Sequence, residues 1–176
     1  TISVNYLSTD VSGNMSVVVN NACGSGPASA NYPITIVPKP ILTSTLTPAS
    51  ICSETLFNYV PTSATSGTSF SWSRATQSGI SNAATTANGN VNEILINTTA
   101  NPINVVYQYT ITGAALTSCS NVATVTVTVN PVPSLTSATN LAPICSGTTF
   151  NYTPTSATSG TISWTRATVL DRKSVV

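Results

Sequence analysis

The sequence predicts an all-β protein assembled from tandem antiparallel β-sandwich modules, one complete and two partial. Three observations carry this. The stretch Ile51 to Gln77, ICSETLFNYVPTSATSGTSFSWSRATQ, returns at Ile144 to Val169 as ICSGTTFNYTPTSATSGTISWTRATV. The copies hold one register from Pro38/Pro131 to Thr68/Thr161 at an offset of 93 residues, the distance from Pro38 to Pro131. That period is the size of a domain, not of a solenoid repeat. Apolar and polar residues alternate in short runs bounded by Gly, Pro and Asn, and nothing carries a helical signal. Hydrophobic residues make up 41% of the chain, and their regular alternation argues against a disordered, glycosylated stalk.

Thr1 to Pro38 reads as the end of an upstream module. Ile2, Val4 and Tyr6 alternate with polar residues, Met15 to Val19 is strand-like, and Tyr32 to Val37 makes a last strand. NNACGSG, residues 20–26, has the Asn and Gly of a hairpin turn. The complete module spans residues 39–131. Its expected strands are Ile41–Leu46, Leu56–Val60, Ser69–Arg74, Val91–Asn97, Asn104–Thr112 and Val122–Val129, with Ser78 to Asn90 as a loop. Phe70 and Trp72 share one face of their strand and Ser71 and Ser73 the other, the period of a half-buried strand. Val105, Tyr107, Tyr109 and Ile111 point one way, and Val125, Val127 and Val129 alternate with threonines. About seven short strands in a unit of this size suggest an immunoglobulin-like sandwich. Residues 132–170 read as the amino-terminal part of the next repeat, with unprotected strand edges.

Residues 171–176, DRKSVV, leave the pattern where the first copy continues QSGISNAA. GATCGGAAGAGCGTCGTG encodes them and resembles a sequencing-adapter string, so they are set aside as an artefact. The chain is accordingly expected to be a fragment.

Composition excludes several functions. Charged residues are 5% of the chain and the net charge is +1, so no basic field or patch draws nucleic acid or anionic lipid. No apolar run is long enough to span a membrane, and an export signal is expected upstream.

The constellation ICS(G/E)..FNY.PTSATSGT.(F/I)SW(S/T)RAT, then GI at 79–80, EILIN at 93–97, VVYQYTIT at 105–112, a lone Cys and VTVTVNPVP, resembles the PKD-like repeats of Bacteroidota surface and secreted proteins. The resemblance covers Pro38 to Val169. It implies β-sandwich modules strung in very large exported proteins, often adhesin-like or gliding-associated and commonly exported by the type IX system. Residues 1–38 resemble the end of a related immunoglobulin-like module.

Cys23, Cys52, Cys119 and Cys145 fall one early and one late in each repeat, not in CxxC pairs, which disfavours zinc. Two cysteines per module in an exported protein favour disulfides, with Cys52–Cys119 the default intramodule pair and the partners of Cys23 and Cys145 outside the fragment. In a strict immunoglobulin topology Cys52 and Cys119 lie at opposite ends of the sandwich. Unpaired thiols, or a staple from one module's base to the next module's top, are then the alternatives.

Trp72 and Trp164 occupy matching positions and, with Tyr107 and Tyr109, are assigned to the core in preference to a sugar-stacking platform. Arg74 shares the face of Trp72 and is expected to lie along the ring or to pair with Glu93. Catalysis has little to use. The chain has no His, which excludes a Ser-His-Asp triad and His-based metal sites. A carboxylate dyad would need Glu54 and Glu93, but Glu54 is Gly147 in the second copy. Calcium would lack ligands for the same reason. NMS (14–16), NTT (97–99) and NYT (151–153) match the N-glycosylation triplet, which is usually idle in bacteria.

The reading is a non-enzymatic spacer or multivalent stalk segment of an exported bacterial surface protein, with no catalytic, metal or cofactor residues. Its expected partners are neighbouring modules of the same chain and an extracellular glycan or protein. The alternative is an accessory or carbohydrate-binding module of a secreted polysaccharide-degrading enzyme.

Overall fold

The computed structural model describes residues 1–7, 10–114 and 119–167; residues 171–176 therefore lie outside the described residues. All regular structure among the described residues is β. Near the amino terminus β1 (Gly13–Met15) pairs antiparallel with β4 (Tyr32–Ile34), and β2 (Asn20–Asn21) with β3 (Gly24–Ser25) closes the NNACGSG turn. Residues 2–6, where Ile2, Val4 and Tyr6 alternate with polar residues, belong to no strand.

The complete module contains β5 (Ile51–Cys52), β6 (Leu56–Tyr59), β7 (Ser69–Arg74), β8 (Thr85–Asn88), β9 (Val91–Ile94), β10 (Ile103–Thr112) and β11 (Ser120–Asn130). One sheet runs in the order β5-β11-β10-β7-β8, and β6 with β9 forms the second. All pairings are antiparallel except β5 with β11, where Ile51 faces Val129 and Cys52 faces Asn130 in a parallel ladder.

Period-two patterning builds the core. Along β10, Val105, Tyr107, Tyr109 and Ile111 are fully buried, and along β11 so are Val125, Val127 and Val129. The same residues would face solvent if the register slipped by one. They meet Phe57 and Tyr59 of β6 and Val91 of β9 across the sandwich. Phe57 lies 5.5 Å from Tyr107, and Tyr59 lies 5.7 Å from Tyr109, measured between ring centres. Such offset, tilted pairs are the favoured aromatic geometry.

Three expectations need correction. Residues 41–46 do not form a strand: Leu42 makes one bridge to Ser63, and Leu46 accepts a hydrogen bond from Thr126 N at 2.9 Å. The pairing role passes to Ile51–Cys52. The loop expected at 78–90 contains β8, which extends the sheet beside β7 although Thr85–Asn88 has no apolar face to announce it. Edge strands that face water on both sides carry no hydrophobic period. Finally, residues 132–167 contain no strand among the described residues, only the bridge Leu135–Ser156.

The chain enters and leaves the module at opposite poles. Pro40 is fully buried beside Gly113, whose N–H donates to Cys119 O at 2.9 Å, so the entry lies at the β10–β11 turn. The exit, Asn130, is the far end of β11, a strand of 11 residues. At about 3.3 Å per residue that strand is roughly 33 Å long.

Candidate functional site

Polar chemistry inside the module centres on Arg74. The side chain is only 2% exposed because it follows Phe70 and Trp72 on the inward face of β7. Its Nε donates to Glu93 Oε2 at 3.0 Å and its Nη2 to Glu93 Oε1 at 2.9 Å, a bidentate pair. Nη2 also donates to Ala83 O at 2.8 Å and Nη1 to Asn82 O at 3.4 Å. Tyr107 Oη donates to Glu93 Oε2 at 2.7 Å, and Trp72 packs edge-on against Tyr107 with ring centres 5.3 Å apart.

Burial alone pushes the Glu93 carboxyl up, but the hydrogen bonds from Arg74 and Tyr107 and the charge of Arg74 outweigh it, and the carboxyl sits below its ordinary range. The Arg74 guanidinium is held charged chiefly by its bonds to Glu93. Tyr107 is pushed far up by burial and then by the carboxylate it donates to. The cluster is saturated: among the described residues no buried side-chain nitrogen or oxygen lacks a partner. Three hydrogen bonds, two from Arg74 and one from Tyr107, hold the carboxylate ionised and fixed in place. The cluster therefore clamps β7 of one sheet to β9 of the other.

A second polar site closes the exit pole. Asn97, 8% exposed, donates from Nδ2 to Val129 O at 2.9 Å and to Asn101 O at 2.8 Å, while its Oδ1 accepts from Thr99 N and Thr99 Oγ1. Asn97 N donates to the buried Ser53 Oγ at 2.9 Å. The NTT triplet at 97–99 is thus a structural turn with its amide fully engaged. The sequence shows the triplet but not this use, because the partners are backbone atoms of distant strands.

The outer face of the large sheet is neutral. Ser71 and Ser73 of β7, Thr86 and Asn88 of β8, and Gln108 and Thr110 of β10 line an open depression of about 430 Å³. It holds hydroxyls and amides and no charge. Phe57, Tyr59, Trp72, Tyr107 and Tyr109 are all buried and Phe70 is partly buried against the core, so no aromatic residue of 39–131 stands fully exposed. Among the described residues no three metal-ligating side chains come together.

Cys52 and Cys119 do not form the expected pair. All four cysteines are free in this structure, and the intramodule Cys52–Cys119 bridge is not formed. Cys52 faces Asn130 at one end of β11, whereas Cys119 immediately precedes Ser120 at the other. A disulfide needs Cα atoms within about 7 Å. Trp164 also departs from its assignment to the core: it is 82% exposed, against 6% for Trp72. In the complete module β10 pairs with β7 and its Tyr107 covers Trp72; no described residue does this for Trp164.

Seven strands in two sheets, an aromatic core and an inward Trp on a central strand agree with what the sequence comparison finds. Residues 49–133 match the PKD-like domain. No curated protein sequence gives a significant match to the chain. The matched span takes in β5 to β11, so the PKD-like domain coincides with the sandwich just described. Among the described residues there is no helix long and apolar enough to cross a membrane.

Proposed function

We propose that the chain is a non-enzymatic structural and adhesive segment of a large exported bacterial surface protein of Bacteroidota type, acting as a spacer or multivalent stalk. The observation that carries this reading is the position of the module's ends. Pro40 enters at the β10–β11 turn and Asn130 leaves at the opposite pole, so each PKD-like domain adds its full length to the chain. A module whose ends met on one side would add little.

On this reading residues 39–131 are one repeat, 1–38 the end of a related module before it and 132–170 the start of the next. Short Pro-containing junctions, VPKP at 37–40 and NPVP at 130–133, restrict bending. The charge-poor, hydroxyl-rich surface suits neighbouring modules and extracellular glycan or protein ligands better than nucleic acid. Repetition then raises avidity without a strong individual site. An accessory carbohydrate-binding role is less favoured, since sugar platforms need a broadly exposed ring and the aromatic rings of residues 39–131 are buried, apart from the partly buried Phe70.

The test is electron microscopy of the parent protein purified from the cell surface, combined with the sequence of its locus. Contour length rising by about 30–35 Å per encoded repeat supports the stalk. A single compact particle, or one catalytic domain beside this module, overturns it.

A further inference from the structure

Asn88 and Gly89 form the only Asn-Gly pair in the chain, and they stand at the turn between β8 and β9. Asparagine is a chemically labile residue. The peptide nitrogen that follows it can attack its side-chain amide carbon, and the bulk of the following residue limits how closely the two approach. Gly89 has no side chain to obstruct this, and a Cβ placed on it would meet nothing within 4 Å. Asn88 itself is exposed.

The other asparagines of residues 39–131 are each held back. Asn82 spends its amide on Ile94 O and Ile96 N, and Asn97 spends its own on Val129 O, Asn101 O and Thr99 N. Asn101 and Asn130 precede proline, which has no N–H to lose. Asn58, Asn90, Asn92, Asn104 and Asn121 precede Tyr, Val, Glu, Val and Val, whose side chains crowd the attacking nitrogen.

The fold restrains Asn88 through its neighbours. Gly89 N donates to Phe70 O at 2.9 Å, which engages the would-be nucleophile. Gly89 O accepts from Tyr109 Oη at 3.3 Å, and Asn90 O accepts from Trp72 Nε1 at 3.3 Å. These bonds hold only while β8 stays on β7. That strand is four residues long, lies at the edge of its sheet and leaves Thr86, Ala87 and Asn88 exposed. Edge segments with so little burial open locally at a fraction of the cost of global unfolding.

We propose that Asn88 is a site of spontaneous deamidation, gated by the bond from Gly89 N to Phe70 O. When β8 opens, solvent takes the Gly89 N–H proton, the nitrogen bonds to Asn88 Cγ and ammonia leaves with the side-chain nitrogen. Water then opens the resulting succinimide at either carbonyl, giving aspartate or isoaspartate at position 88. The net change is one water consumed and one ammonia released, with nothing oxidised or reduced. Aspartate brings the first charge to the depression that Asn88 lines. Isoaspartate also lengthens the backbone by a methylene, which breaks the pairing of Asn88 with Ser71. The reaction needs only water, so it does not depend on the stalk reading.

The experiment incubates the full chain at mildly alkaline pH, folded in one sample and unfolded in urea in another, and follows each asparagine by peptide mass mapping. In the folded sample Asn88 should be the first asparagine of residues 39–131 to convert, giving two product peptides of equal mass. Its rate should be at least about tenfold below that in urea. Tyr109→Phe should raise the folded rate roughly two- to fivefold and leave the urea rate unchanged. Gly89→Ala, compared in urea where folding plays no part, should remove most of the conversion at Asn88. Equal rates in the two samples, an unmoved folded rate in Tyr109→Phe, or full retention of the amide in Gly89-containing folded chain overturns the proposal. So does earlier conversion of another asparagine of residues 39–131, or an unchanged urea rate in Gly89→Ala.

Discussion

Tyr107 donates its hydroxyl proton to Glu93 Oε2 at 2.7 Å, adding a third hydrogen bond to a carboxylate that already takes two from Arg74. The bond joins β10 to β9, and so ties the large sheet to the small one at a second point. Tyr107→Phe keeps the ring and removes only this donor. Loss of a hydrogen bond to a charged group should cost about 1.5–3 kcal/mol, read as a lower urea midpoint at unchanged slope. Tyr109→Phe is the control, because its hydroxyl makes only a 3.3 Å bond to Gly89 O, and its cost should stay below about 1 kcal/mol.

Arg74 and Glu93 should be strongly coupled. Arg74→Met or Glu93→Leu alone strands the other charge in the core and should cost about 3–5 kcal/mol. The double variant should cost clearly less than the two singles added together, since an apolar pair of similar size replaces a buried ion pair with little loss. A double-mutant cycle by urea unfolding checks this; strict additivity would contradict the clamp.

Stability should be flat through neutral pH and fall at both ends. Glu93 has a folded pKa below its unfolded value, so its contribution is fully present above the unfolded carboxylate range, near pH 4.3, and is lost as pH falls through the lower folded value. Tyr107 and Tyr109 are raised, so their contribution is complete below the ordinary tyrosine value near 10 and disappears as pH rises toward the folded values. The chain has no His, the side chain whose ordinary pKa falls between these limbs. Melting temperature measured against pH should show a plateau, and Glu93→Gln should blunt the acid limb.

Glu54 occupies the left-handed region at φ 67°, where Gly147 stands in the second copy at φ 81°. A non-glycine residue there costs about 1–2 kcal/mol, of which glycine returns part to chain entropy. Glu54→Gly should therefore stabilise by a few tenths to about 1 kcal/mol. Gly79→Ala should do the opposite. Its Cβ would fall 2.5 Å from Ile103 Cδ1 and 2.7 Å from Thr99 Cγ2 at φ 82°, and a loss of about 1–3 kcal/mol is expected by thermal unfolding.

What the sequence made legible was whatever has a period or a copy. Phe70, Trp72 and Arg74 alternate with serines, and Val105 to Ile111 alternate with polar residues, so the central strands and their inward faces could be read directly. The facing of Arg74 and Glu93 followed from the same alternation. β8 escaped because an edge strand of Thr, Ala and Asn has no face to bury. β5 escaped because two residues make no pattern. The Tyr107 bond and the Asn97 latch depend on partners in other strands, which periodicity within one strand does not contain.

The most direct test of the account is the distance between the two poles of the module. Spin labels on the native Cys52 and Cys119, with Cys23→Ser and Cys145→Ser to silence the other sites, report it by pulsed dipolar spectroscopy. The architecture predicts a distribution centred at roughly 30–40 Å, the length of β11 plus the label arms. A distance below about 15 Å, or a Cys52–Cys119 disulfide in the oxidised chain, would place entry and exit at one end and contradict both the fold and the stalk built on it.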